Sequence, residues 1–187
     1  MGFLRSRKPL NIMLVGLHNA GKTTIRNKLR LHFDDKDFNS SKIKEHLKVQ
    51  KELLANTPIP TIGYNRNLFK ILKHEVVLWD FGGQDSLRSN WEKYYPIADG
   101  IIYVVDTADH KHIIEAAEHF NSIVNMDTLA KKKFLLIGNK IDLPASLSID
   151  QLNEVFHTSR ENICTTTICA VTGQGLFEAI ETFIKKL

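Results

Sequence analysis

The segment that most constrains this chain is Gly16-Leu17-His18-Asn19-Ala20-Gly21-Lys22-Thr23, a G-x-x-x-x-G-K-T octapeptide. It closes an apolar run, Ile12 to Val15, and opens a helix-forming stretch, so it predicts a strand, a tight loop and a helix in that order. The glycines let backbone N–H groups turn inward around phosphate oxygens. Lys22 sets a point charge against the outer phosphates, and the Thr23 hydroxyl suits Mg²⁺. The positive dipole end of the following helix adds to the field. A phosphate-binding site is therefore expected over Gly16, His18, Asn19, Ala20, Gly21, Lys22, Thr23 and Thr24.

Around that loop, apolar runs suited to buried parallel strands fall at Asn11–Val15, Asp99–Val105 and Lys133–Gly138, with a weaker one at Thr165–Cys169. Helical patterns lie at Lys22–His32, His110–Met126, Ser148–Phe156 and Gly173–Lys186. Asn65–Leu72 and Glu75–Asp80 are separated by two residues and predict an antiparallel hairpin at a sheet edge. The expected fold is α/β, with a six-stranded, mostly parallel sheet, an antiparallel edge hairpin and helices on both faces. Residues 33–56 break this rhythm. They read as an inserted charged segment, with a short basic amphipathic helix over Ser41–Ala55.

The length of 187 residues, with 43% hydrophobic and 25% charged content, suits one soluble domain. We assign residues 1–10 to an N-terminal anchoring segment and 11–187 to the domain. No apolar run reaches the length of a membrane-spanning helix, and the N-terminus lacks a signal-peptide core. Cys164 and Cys169 have no metal or redox spacing, and the eight histidines form no ligand set. A net charge of +4 and a pI near 9.0 come without an aromatic and basic platform, which argues against nucleic acid.

Two further motifs follow strands, and a third lies just before the hairpin. Asn139-Lys140-Ile141-Asp142 supplies an Asp whose carboxylate can accept from the ring N–H and the exocyclic amine of guanine, a pattern adenine does not offer. In Trp79-Asp80-Phe81-Gly82-Gly83-Gln84, Asp80 is placed to orient Mg²⁺ through water. Gly83 is placed to offer its amide to a γ-phosphate, and Gln84 to position an attacking water as the catalytic residue. Asp-Phe-Gly also occurs in protein kinases, but the phosphate loop here has the wrong form for one and no H-R-D motif exists. Thr57-Pro58-Ile59-Pro60-Thr61-Ile62-Gly63 is a stiffened segment whose Thr61 would close over Mg²⁺ and the γ-phosphate.

Together the octapeptide, Pro60-Thr61-Ile62-Gly63, Trp79 to Asp85, Asn139 to Asp142 and Cys169-Ala170-Val171 resemble the ADP-ribosylation factor (Arf) and Arf-like small GTPases. Trp79, the doubled glycine and Trp91 with Tyr94-Tyr95 distinguish that family from other Ras-like GTPases. The resemblance implies a Ras-like P-loop NTPase fold and a GTP/GDP switch with Mg²⁺ and slow hydrolysis, recruiting effectors in membrane trafficking. Its partners would be an exchange factor, a GTPase-activating protein and effectors, with the protein itself a monomer. It also implies that Thr23 and Thr61 ligate Mg²⁺, that Asn139, Lys140 and Asp142 hold guanine with Cys169, Ala170 and Val171 behind it, and that Tyr64, Trp79 and Tyr94 form an exposed aromatic cluster for effectors. In the family the edge hairpin slides by two residues between states, which keeps each side chain on its face while moving the strands by roughly 6–7 Å. A scaffold with negligible hydrolysis is the alternative.

Met1-Gly2-Phe3-Leu4-Arg5-Ser6 fits N-myristoylation at Gly2, with Arg5, Arg7 and Lys8 as a second, electrostatic signal. The expected location is cytoplasmic, peripheral on the cytosolic face of an intracellular membrane. Three departures from the family stand out: Pro9 shortens the N-terminal helix, His18 replaces the usual Asp, and the 33–56 insertion has no counterpart.

Overall fold

The structure, a computed structural model, describes residues 8–33, 64–84 and 91–187 and the backbone of 35–36. The described strands are β1 (Leu10–Val15), β2 (Asp35–Lys36), β3 (Tyr64–Ile71), β4 (His74–Phe81), β5 (Gly100–Asp106), β6 (Lys133–Asn139) and β7 (Ile163–Ile168). The α-helices are α1 (Lys22–His32), α2 (Ile113–Val124), α3 (Ile149–Phe156) and α4 (Leu176–Lys185). The strands form one sheet in the order β2-β3-β4-β1-β5-β6-β7. Pairing is parallel from β4 through β7 and antiparallel between β3 and its two neighbours.

The expected hairpin and parallel strands are present, and the two-residue β2 extends the sheet beyond the six anticipated strands. β2 escapes a pattern search because two residues carry no periodicity. The hairpin turn falls on Leu72 and Lys73, one residue earlier than expected, with Ile71 facing His74. Leu72 takes a left-handed backbone (φ 55°), a conformation that turn chemistry normally assigns to Gly or Asn, so residue type did not mark it. The Ser41–Ala55 helix, Thr61 and Gly2 lie outside the described residues.

Both sheet faces are covered, and the alternation of side chains along β1 shows how. Met13 and Val15 point into a layer with Tyr103, Phe120, Phe134 and Phe156 beneath α2 and α3. Ile12 and Leu14 point the other way, to Ile25, Leu29, Ile180 and Phe183 of α1 and α4. Burial on both faces explains why β1, β5 and β6 read as continuous apolar runs. α3 begins where a capping box forms: Gln151 N–H donates to Ser148 Oγ at 3.3 Å and Ser148 N–H to Gln151 Oε1 at 2.8 Å. The parallel order brings the carboxyl ends of β1, β4, β5 and β6 to one edge, where the phosphate loop follows β1, Gly82-Gly83-Gln84 follows β4 and Lys140-Ile141-Asp142 follows β6.

Candidate nucleotide site

α1 starts at Lys22 behind Gly21 (φ 99°), with no side-chain cap and no acidic residue in its first turn. The positive end of the helix dipole is therefore not offset by an acidic residue of its own first turn, which suits a phosphate anion. Gly16 (φ 141°) and Gly21 hold conformations that suit glycine. They are also pressed from outside: a Cβ on Gly16 would strike the Val104 carbonyl oxygen, and one on Gly21 the Asn139 amide nitrogen.

Lys22 is buried at 7% exposure. Its Nζ donates to the carbonyls of Gly16 at 2.8 Å and Leu17 at 2.7 Å, so the ammonium lies across the mouth of its own loop. Gly83 packs directly on it. A Cβ there would collide with Lys22 Nζ and come within 2.6 Å of the Gly16 carbonyl oxygen. Trp91 Nε1 donates to the Gly82 carbonyl at 3.2 Å and so anchors this contact from behind. Gln84, next in the chain, is exposed, as are His18, Asn19 and Thr23, while Thr24 is half-buried.

Asp80 ends β4 beside Leu14 of β1 and is 4% exposed. Burial pushes its carboxyl above the usual carboxylate range, and the charges of Arg26 and Lys22 pull it back. Arg26 Nη1 lies 3.2 Å from Asp80 Oδ2. The oxygen donors expected for Mg²⁺ among the described residues, the Thr23 hydroxyl and the Asp80 carboxylate, are of the hard type that ion takes. They fit it, with the qualification that one Asp80 oxygen already faces a cation.

The base-recognition segment is tied to the phosphate loop through Asn139. Its Nδ2 donates to the Ala20 carbonyl at 2.9 Å, and its Oδ1 accepts from the Ala170 N–H at 3.0 Å. Asn139 is thus a bracket between two loops. Lys140 Nζ pairs with Asp106 Oδ2 at 2.5 Å, and Thr107 Oγ1 donates to the Asn139 carbonyl at 2.7 Å. Asp142 is exposed; Cys169 and Ala170 are buried and Val171 is 67% exposed. Sequence reasoning missed Arg26, Asp106 and Thr107. The last two were legible as the polar residues that end β5 at the ligand edge; Arg26 was legible only as a charge one helical turn after Lys22.

The aromatic cluster requires a correction. Tyr64, Trp79 and Tyr94 do meet, with ring centroids 5.3–5.7 Å apart. Trp79 and Tyr94 are each only 2% exposed, however, and Tyr64 is half-buried. Packing against Phe81 and the Arg66 guanidinium, 5.2 Å from the Trp79 ring, accounts for this. A separate cavity of about 370 Å³ lies on the other side of the loop, lined by Leu17, His18, Asn19, Asp106, His112 and Ile113 among others. It shares His18, Asn19 and Ala20 with the expected phosphate loop and Asp106 with the Lys140 pair, while Lys22 and Asp142 do not line it.

A uncapped helix behind a glycine loop, at the carboxyl edge of this sheet order, defines a Ras-like P-loop NTPase fold. Comparison with known proteins narrows the class. A profile of the ADP-ribosylation factor family matches residues 41–187. Human ADP-ribosylation factor-related protein 1 is 33% identical over 181 residues, covering 93% of this chain and 83% of that protein. Its rat counterpart is 34% identical with the same coverage. The chain belongs to the ADP-ribosylation factor family of small GTPases. Among solved structures, the Arl6 (BBS3) small GTPase of Trypanosoma brucei with bound nucleotide analogue GppNp superposes with a TM-score of 0.74. The two share 21% identity, with 96% of this chain and 97% of that one covered, a likeness of fold.

Proposed function

We propose that this protein is a Mg²⁺-dependent switch that holds GDP or GTP, hydrolyses GTP slowly and presents a different surface in each state. The observation that supports it is the packing of Gly83 on Lys22 Nζ across the phosphate loop. A third phosphate entering that mouth acts at once on the end of β4, and through β4 on the β3 hairpin paired with it. Lys22 and the loop amides hold the phosphates, and Asp142 selects guanine. The Gln84 amide orients a water for in-line attack on the γ-phosphorus; the bond to the β-phosphate oxygen breaks, leaving GDP and inorganic phosphate. The Thr23 and Thr61 hydroxyls would hold Mg²⁺, with Asp80 acting through water, and the ion would supply positive charge to offset that of the phosphates.

Without an activating protein such a site turns over at roughly 10⁻⁴ s⁻¹. An exchange factor to release GDP, a GTPase-activating protein and effectors in membrane trafficking complete the proposal. Single-turnover GTP decay tests it: Gln84→Leu should abolish the acceleration produced by cell extract, and an unchanged stimulated rate refutes the enzymatic reading. The exposed His18, beside the expected γ-phosphate position, favours a second reading, a nucleotide-dependent scaffold with negligible hydrolysis. That reading is correct if GTP persists even with extract.

Gly2 myristoylation with Arg5, Arg7 and Lys8 would give reversible attachment to the cytosolic face of an intracellular membrane, since one acyl chain alone binds marginally. Gly2→Ala should move the protein to the soluble fraction; unchanged sedimentation with membranes refutes acylation.

A further inference from the structure

Arg26 lies one helical turn beyond Lys22 on α1, and its guanidinium reaches under the site to Asp80. Its side chain is 15% exposed and that of Asp80 5%, so the pair is shielded from water and its electrostatics are little screened. Hydrogen bonding does not explain the position of Arg26 fully. Nη2 donates to Asn27 at 3.2 Å, but buried Nε has no hydrogen-bond partner among the described residues. The attraction of Asp80 is what holds a long cationic side chain at this point.

Resting on the switch reading, we infer that Arg26 is a positioning residue that sets the Mg²⁺ requirement of nucleotide retention. Without the metal, the guanidinium balances the buried Asp80 carboxylate, so the metal-free form is not left with an uncompensated charge. With the metal, the same guanidinium is a like charge close to the ion and competes for the carboxylate on which the metal's water depends. Both effects act in one direction. They stabilise the metal-free form relative to the metal-loaded form, so more free Mg²⁺ is needed to slow GDP release.

The experiment uses the full chain loaded with fluorescent GDP, whose release rate is followed across a series of free Mg²⁺ concentrations. Arg26→Leu and Arg26→Gln should each lower the half-effective Mg²⁺ concentration at least fivefold. Arg26→Lys, which keeps the charge, should stay within twofold of the unmodified protein. Melting of each GDP-loaded variant across the same series supplies a second midpoint that requires no catalysis. Folded neutral variants with a midpoint within twofold of the unmodified protein, or with a higher one, overturn the inference and leave the switch reading standing. A lowered melting temperature with an unmoved midpoint does the same, since it assigns the ion pair to structure alone. If the unmodified protein retains no GDP even at saturating Mg²⁺, the switch reading falls and this inference falls with it.

Discussion

Replacing Asn139 by Ala removes the bracket between the phosphate loop and the base-recognition loop. The side chain is 2% exposed, and the two groups it serves belong to Ala20 and Ala170, each also 2% exposed. Water cannot readily take over at either point. Each buried group left without its partner costs about 1–3 kcal/mol, so orphaning two should cost about 2–6 kcal/mol of folding stability. If about 1.4 kcal/mol of that is lost from the nucleotide-bound arrangement alone, GDP affinity falls tenfold, chiefly through faster release. Urea unfolding measures the first quantity, provided the slope is unchanged, and release of fluorescent GDP the second. Asn139→Asp sharpens the test. It keeps an acceptor for the Ala170 N–H but turns a carboxylate oxygen toward the Ala20 carbonyl, so it should be destabilised as well. A stability change under about 0.5 kcal/mol together with release within twofold would refute the bracket, because two buried groups cannot be orphaned so cheaply.

Gly83→Ala should weaken binding of a GTP analogue at least tenfold and of GDP less than threefold, because the added carbon meets Lys22 Nζ at the outer-phosphate end of the loop; equal losses for both nucleotides in a competition assay would contradict this. The pH prediction concerns Asp109, whose carboxyl is held below the usual range first by its hydrogen bond with His112, 2.8 Å away. A depressed carboxyl stabilises the fold above its unfolded pKa and loses that contribution as pH falls through its folded pKa. His112→Ala should therefore cost less than about 0.5 kcal/mol at pH 7, the pair being largely open to solvent, and progressively less as pH falls through the lowered Asp109 pKa. Urea midpoints across that pH range check the sign.

Much of the architecture was legible because its causes are local. β1, β5 and β6 are covered on both faces, so their apolar runs announce strands directly. α1 was placed to the residue, since the glycine of the phosphate loop ends where its helical pattern begins. The glycine loop before it was legible for the same reason: its residues are contiguous and their spacing is dictated by backbone geometry. The hairpin turn was misplaced by one residue because Leu72 does not declare a left-handed backbone. The aromatic cluster was correctly grouped but wrongly exposed. Burial depends on what packs over a ring, here Phe81 and Arg66, and no spacing encodes that.

The sequence by itself determined the fold class, the glycine loop that opens α1 and the family, since each rests on short-range patterns with a fixed chemical reading. Only the tertiary structure decided how these pieces act on one another. Asn139 faces Ala20 across 119 residues. Gly83 reaches Lys22 because β4 lies beside β1, and Lys140 finds Asp106 because β6 lies beside β5. Arg26 meets Asp80 because α1 crosses beneath the end of β4. Parallel pairing of strands distant in the chain creates these contacts, and their energies come from burial and short separation, neither of which exists until the sheet is assembled.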